Sequence, residues 1–167
     1  MNIEEFCLEE VISDCLDICN TVKDTKDVLF LQRKLQTNRI VSDKIRIKRL
    51  LLNILHSSAK YTTNGFVSVD VFDKQHLIKV KIKDTGTDRK FYNQSFNSTK
   101  STLSESYIGS IDFPMVDIAA SLELIQWLGP DGKLSIKRKH KGGCSFSFLI
   151  FKDLEENERN TSFTKVT

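Results

Sequence analysis

One helix-forming stretch, "LLLNILHSSAKYTTNG" (residues 50–65), carries Asn53, His56, Ser57, Ser58 and Lys60 among leucines and then stops at a turn glycine. Asn53, Ser57 and Lys60 stand at i, i+4 and i+7, so a helix puts them on one face, with Leu51, Ile54 and Leu55 on the opposite side. A second chemical group comes from "LIKVKIKDTG", where Ile78, Val80 and Ile82 alternate with lysines and Asp84 shares their parity. A strand there aims the Asp84 carboxylate to the side of its apolar residues, and a carboxylate buried that way needs hydrogen-bond donors. Gly86 follows where the chain must turn closely. A polar helix stripe beside a cleft floored by a carboxylate is equipped to bind a ligand through hydrogen bonds. Taken alone, the stripe is explained equally well as a solvent-exposed helix face.

The elements that position these groups follow from periodicity. Residues 3–23 pair acidic positions with an apolar stripe (Phe6, Val11, Cys15, Leu16, Cys19, Val22), as an amphipathic helix does. "KDVLFLQRK" reads as a short strand, and "VSDKIRIKRLLLNILHSSAKYT" as a second helix with Ser42 or Asp43 as its N-cap. "GFVSVDVF" and "HLIKVKIKD" alternate with period two across a tight "DKQ" turn, which predicts a hairpin. From about 85 to 112 the chain is rich in Ser, Thr and Asn and reads as a long binding loop. "FPMVDIAASLELIQWLG" is the third helix, with Pro114 near its first turn, and "GKLSIKRKHKGGCSFSFLIFKD" a second hairpin. The expected architecture is an α/β (α+β) two-layer sandwich: a mixed, mostly antiparallel five-stranded sheet with one wet face and three helices on the other. Residues 1–154 are expected to form one domain and 155–167 a flexible polar tail.

Composition narrows the class. At 167 residues the chain buries a core without staples, and no apolar run approaches the ~20 residues that span a bilayer. The acidic start "MNIEEFCLEE" does not resemble a signal or transit peptide, so a soluble, cytoplasmic location is expected. A net charge of +3 does not imply nucleic acid, and "KVKIKD" and "KRKHKGG" read as a solvated strand face and a hairpin tip. The four cysteines form no CxxC pair and the three histidines are scattered, which argues against zinc; Cys15 and Cys19, four apart, read as buried helix packing.

The order of these motifs resembles the ATP-binding (CA) domain of sensor histidine kinases, in the GHKL or Bergerat-fold ATPase superfamily. The resemblance runs from "FCLEEVISDCLDI" to "GGCSFSFLIF". In that family the helix reads N-L-L-x-N-A-x-K-F/Y-T, the strand ends in D-x-G-x-G, and a glycine-rich lid precedes the next helix. The resemblance implies ATP and Mg²⁺ as cofactors. It matches Asn53 to the first asparagine of the N-box, Lys60 to the lysine that approaches phosphates and Tyr61 to the aromatic lining the adenine pocket. It also matches Asp84 to the acceptor of the adenine amino group, Gly86 to the glycine that gives the base room, and Gly143 to the late glycine before the last strand. A carboxylate accepting from an exocyclic amine and an aromatic stacked on a purine are sound chemistry in themselves.

Other matched positions have lost the family residue. The second N-box asparagine, an Mg²⁺ ligand, falls on Ser57, whose hydroxyl is shorter; Asn53 and Ser57 would form at most a vestigial metal site. The second glycine of D-x-G-x-G falls on Asp88, and the lid glycines fall on Phe113, Met115 and Asp117, with Gly109 as a partial substitute if the alignment slips. Asp117 against a phosphate costs about 1–4 kcal/mol at contact. Each lost hydrogen bond to a phosphate costs a further ~1.5–3 kcal/mol.

No histidine stands in the H-E-x-x-x-P context of a phosphoacceptor, His56 is expected on an exposed helix face, and the dimerising hairpin would lie before residue 1. The expectation is therefore a degenerate, non-catalytic signalling or scaffold module with impaired ATP binding and no catalytic residue. Its partner would be a protein: a phosphoacceptor hairpin, a receiver domain or a larger assembly. The alternatives are an active ATP-binding domain that phosphorylates a hairpin in trans, and a purely structural protein whose cleft is filled by Phe113. Phe91, Tyr92, Phe96 and Tyr107 are the aromatic candidates for a partner contact.

Overall fold

The computed structural model describes residues 1–22, 27–36, 39–86, 94–97, 115–138 and 142–155. The chain runs β1 (Ile3–Cys7), α1 (Leu8–Val22), β2 (Asp27–Leu35), β3 (Arg39–Asp43), α2 (Lys44–Lys60), β4 (Asn64–Lys74), β5 (Leu77–Asp84), β6 (Gln94–Asn97), α3 (Met115–Leu128), β7 (Lys133–Arg138) and β8 (Cys144–Phe151). The main sheet has the order β2-β4-β5-β8-β7-β6. Among the described residues, β2 and β4 are its only parallel pair and every other neighbour is antiparallel. The five expected strands are all present, in the mixed α/β sandwich that the sequence implies, and β6 adds a short edge strand inside the stretch read as loop.

Alternation explains which face each strand buries. Val80 and Ile82 of β5 stand opposite Val71 and Val69 of β4 on one side, and Ile78, Val80 and Ile82 stand opposite Ile150, Phe148 and Phe146 of β8 on the other. All lie on the helix side and are buried, each such side chain contributing about 1.5–3 kcal/mol. On the opposite face Lys79, Lys81 and Lys83 are half-buried, and Lys83 pairs with the buried Asp70 of β4. α2 closes the core with Ile47, Leu50, Leu51, Ile54 and Leu55. It packs between α1 and α3.

Two sequence expectations change. Residues 3–7 are not the first turn of a helix: they form β1, which pairs antiparallel with β3 in a separate two-stranded sheet. The Ile3–Phe6 spacing suits a helix, and the pairing with Arg39–Asp43 overrides it. Val41 then ties this small sheet to the end of β8 by donating to the Lys152 carbonyl at 3.0 Å. Of the two N-cap candidates for α2, Asp43 holds the place: its Oδ1 accepts from the Arg46 amide at 3.0 Å, as an N-cap carboxylate does.

All four cysteines are free thiols, and Cys15 and Cys19 are buried on α1 as its stripe implies. Burial pushes their pKa values up to about 12 and about 11. As the pH rises, thiols in the unfolded chain lose protons first, so the unfolded state then binds fewer protons than the folded one. The stability they confer is full below about pH 9 and is lost as pH climbs towards the folded values, by ~1.4 kcal/mol per pH unit for each thiol. Urea melts between these limits are expected to show that decline, and a Cys15→Ala/Cys19→Ala variant to flatten it. An unchanged slope would refute the assignment.

Candidate functional site

The carboxyl end of β5 meets two other parts of the chain. Asp84 is fully buried, and its Oδ1 accepts from the amides of Gly86 at 3.1 Å and Cys144 at 3.0 Å. The Gly143 amide donates to the Gly86 carbonyl at 2.7 Å. Gly143 itself has φ +82, and a Cβ there would lie 2.1 Å from the Asp84 carbonyl oxygen. A Cβ on Gly86 would lie 2.2 Å from the Tyr61 carbonyl oxygen. Three segments, 61–62, 84–86 and 143–144, therefore touch backbone to backbone. Two of the contacts exist because the residue has no side chain.

The helix side of the junction is the end of α2. Tyr61 is its C-cap. The next residue, Thr62, is fully buried; its Oγ1 donates to the Ser58 carbonyl at 2.9 Å and its amide to the Ala59 carbonyl at 3.1 Å. Below Asp84, Thr85 locks β5 to β4: its Oγ1 accepts from the Phe66 amide at 3.0 Å.

The polar stripe of α2 is graded rather than uniformly exposed. Asn53 is half-buried, Ser57 is 2% exposed, and Lys60 is exposed, with its Nζ 5.7 Å from the centre of the Tyr61 ring. His56 is exposed, as the sequence implies. A fully solvated helix face is excluded for Ser57 and Ser58, which are both buried. The structure thus brings Tyr61, Asp84, Gly86 and Gly143 into one junction, while Asn53, Ser57 and Lys60 run along α2 towards it. α3 begins at Met115, which places Asp117 in its first turn. Asp88, Phe91, Tyr92, Tyr107, Gly109 and Phe113 lie outside the described residues, as does 156–167; Phe96 occupies the register position opposite Leu134 of β7.

Sequence reading missed the Cys144 amide and Thr62. A backbone donor leaves no trace in residue type, so Cys144 could not be found that way. Thr62 could: a threonine four residues after Ser58 at a helix end is placed to bond back to that carbonyl.

An α/β sandwich with a mixed sheet backed by three helices is the fold of histidine kinase catalytic domains. No family model matches the sequence. It is similar to the hybrid signal transduction histidine kinases L and B of Dictyostelium discoideum. Similarity to kinase L is 26% identity over 123 residues, 68% of this chain and 7% of that protein; to kinase B it is 34% over 118 residues, 65% of this chain and 6% of that protein. The chain therefore matches only a small part of these relatives.

Among solved structures, the catalytic domain of histidine kinase ThkA has a TM-score of 0.70 at 18% identity, covering 92% of this chain and 99% of that chain. ThkA in complex with the response regulator protein TrrA matches at TM-score 0.62 and 16% identity, over 92% of this chain and 42% of that one. Full-length ShkA in complex with AMPPNP matches at 0.62 and 12%, over 90% and 31%. The chain has the fold of a histidine kinase catalytic domain and is similar in sequence to hybrid histidine kinases. No helix among the described residues is long and apolar enough to cross a membrane.

Proposed function

We propose that residues 1–154 form a degenerate histidine-kinase-type ATP-binding domain, non-catalytic, acting as a signalling or scaffold module, with the purine half of its pocket kept and the phosphate half lost. The observation that carries this reading is Ser57. It stands where the family places a metal-ligating asparagine, and its side chain is both shorter and 2% exposed. Asp117 in the first turn of α3 supports the same reading. An aspartate at that sequence position brings negative charge to a helix start where an anion would need the opposite.

On the purine side the residues fit the group. A carboxylate is the right acceptor for an exocyclic amine, and the Oδ1 of Asp84 is held in place by the Gly86 and Cys144 amides. Tyr61 would offer a stacking face, Asn53 and Lys60 the polar rim, and Gly86 and Gly143 the close backbone that holds Asp84 in place. On the phosphate side they do not fit, and we route no Mg²⁺ or triphosphate chemistry through Asn53 and Ser57. The partner is a protein, either a receiver domain or a phosphoacceptor hairpin; ThkA, which shares the fold, has been solved with a response regulator. The proposed location is cytoplasmic.

Thermal-shift titration with adenosine, ADP and Mg-ATP tests the proposal. A ligand that binds only the folded state adds ~2.7 kcal/mol at a hundredfold excess over its Kd. For a domain of this size that raises the melting temperature by about 5–10 °C. Adenosine is expected to stabilise, and ATP to add nothing beyond it with or without Mg²⁺. A larger, Mg²⁺-dependent shift with ATP would establish instead an active domain that phosphorylates a hairpin in trans. No response to any of the three would leave only a structural role.

A further inference from the structure

β2 is an edge of the main sheet, hydrogen-bonded to β4 alone among the described residues. Edge strands of monomers are normally kept from pairing by charges, prolines or bulges. Here such protection is concentrated in the second half of the strand, where the register shifts between Gln32 and Lys34 and two basic residues follow each other. The first half has a single charge, Asp27, at its very start. Val28 and Phe30 turn into the core, while Asp27, Leu29, Leu31 and Arg33 are all exposed, Leu29 at 62% and Leu31 at 37%.

Read along the exposed positions, the strand is acid, leucine, leucine, base, and that order is complementary to itself. Two copies laid antiparallel about Phe30 set Leu29 of each against Leu31 of the other. The same register sets Asp27 of each against Arg33 of the other. Residues directly opposite on an antiparallel pair stand about 4.5–5.5 Å apart, close enough for both kinds of contact. The Arg33 guanidinium lies 5.1 Å from the centre of the Phe66 ring, and Phe66 is the register partner of Leu29, so the arginine head already sits on the face where these leucines emerge.

We infer that β2 is a homodimerisation edge, where a second copy of this chain adds antiparallel through a Leu29–Leu31 ladder closed at each end by an Asp27–Arg33 ion pair. The contact is isologous and closes after two copies, so it gives a dimer and not a fibre. It joins two six-stranded sheets into one.

Light scattering and sedimentation of the full chain across a concentration series test this. The mass is expected to rise from 19.2 kDa to twice that value. Asp27→Arg and Arg33→Asp each set like charges opposite one another twice per dimer, and each is expected to weaken the dimer by about tenfold or more. The double variant restores opposite charges in reversed order and is expected to recover the wild-type constant. Leu29→Glu is expected to leave only monomer, with the melting temperature of each variant confirming that the fold is intact. A wild-type chain that stays monomeric throughout would overturn the inference. So would a dimer that none of these variants weakens, or a double variant no tighter than the single ones.

Discussion

Asp84→Ala is expected to lower the melting temperature by on the order of 10 °C, while Asp84→Asn costs little. The alanine removes the acceptor that the Gly86 and Cys144 amides share in the interior. Each buried donor left without a partner costs about 1–3 kcal/mol, so the pair loses about 2–6 kcal/mol. At ~2–4 °C per kcal/mol for a domain of this size, the melting shift follows. Asparagine keeps an oxygen at the same position and can accept from both amides. It then presents an NH₂ in place of a second acceptor, so adenosine should no longer stabilise the variant although the fold survives. That contrast separates the two roles of Asp84. If the alanine variant melted within about 2 °C of wild type, the junction would not depend on the carboxylate, and if the asparagine variant still responded to adenosine, the purine reading would fail.

Gly143→Ala is the second large effect. The residue sits at φ +82, where an L side chain is strained by about 1–3 kcal/mol. The larger cost is contact: the new Cβ would lie 2.1 Å from the Asp84 carbonyl oxygen and 3.0 Å from both the Asp84 carbonyl carbon and the Thr85 Cα. These are backbone atoms of a central strand and cannot rotate away. The start of β8 must therefore move off β5, which loosens the Gly143–Gly86 and Cys144–Asp84 hydrogen bonds together. A total of about 3–9 kcal/mol is expected from the strain and the two hydrogen bonds, a large part of the 5–15 kcal/mol that a typical domain has. A urea melt with an unchanged midpoint would refute the tight contact.

The main elements were legible where local pattern and tertiary role agree. α2 shows its cap at Asp43 and its apolar stripe from Ile47 to Leu55, and β5 shows its buried side by strict alternation ending on Asp84. β1 was not legible, because "IEEFC" carries too few residues to separate a period of two from one of 3.6, and its pairing with β3 is a long-range choice. β6 was hidden in the same way by its four-residue length.

At the candidate site, residue types pointed to Asp84, Gly86 and Gly143 but not to what each touches. Gly86 reads from sequence as leaving space for a base, whereas its missing side chain admits the Tyr61 carbonyl of the protein itself. Ser57 reads as part of an exposed rim, yet the packing of α2 against its neighbours places it inside. Residue type carries chemistry, and only the assembled backbone says which atoms that chemistry meets.

The position of β8 bears on how the chain is made. Among the described residues it is the last strand in sequence, yet it lies in the middle of the sheet, between β5 and β7. Until residues 144–151 leave the ribosome, β5 has one open ladder and Asp84 lacks the Cys144 amide. The growing polypeptide can therefore assemble α1, α2, β2, β4 and β5 as a partial unit but cannot seal its centre before β8 emerges. That makes the nascent β5 edge a natural point for chaperone capture, and a ribosome release defect just before Cys144 would yield a product prone to aggregation rather than a smaller folded domain.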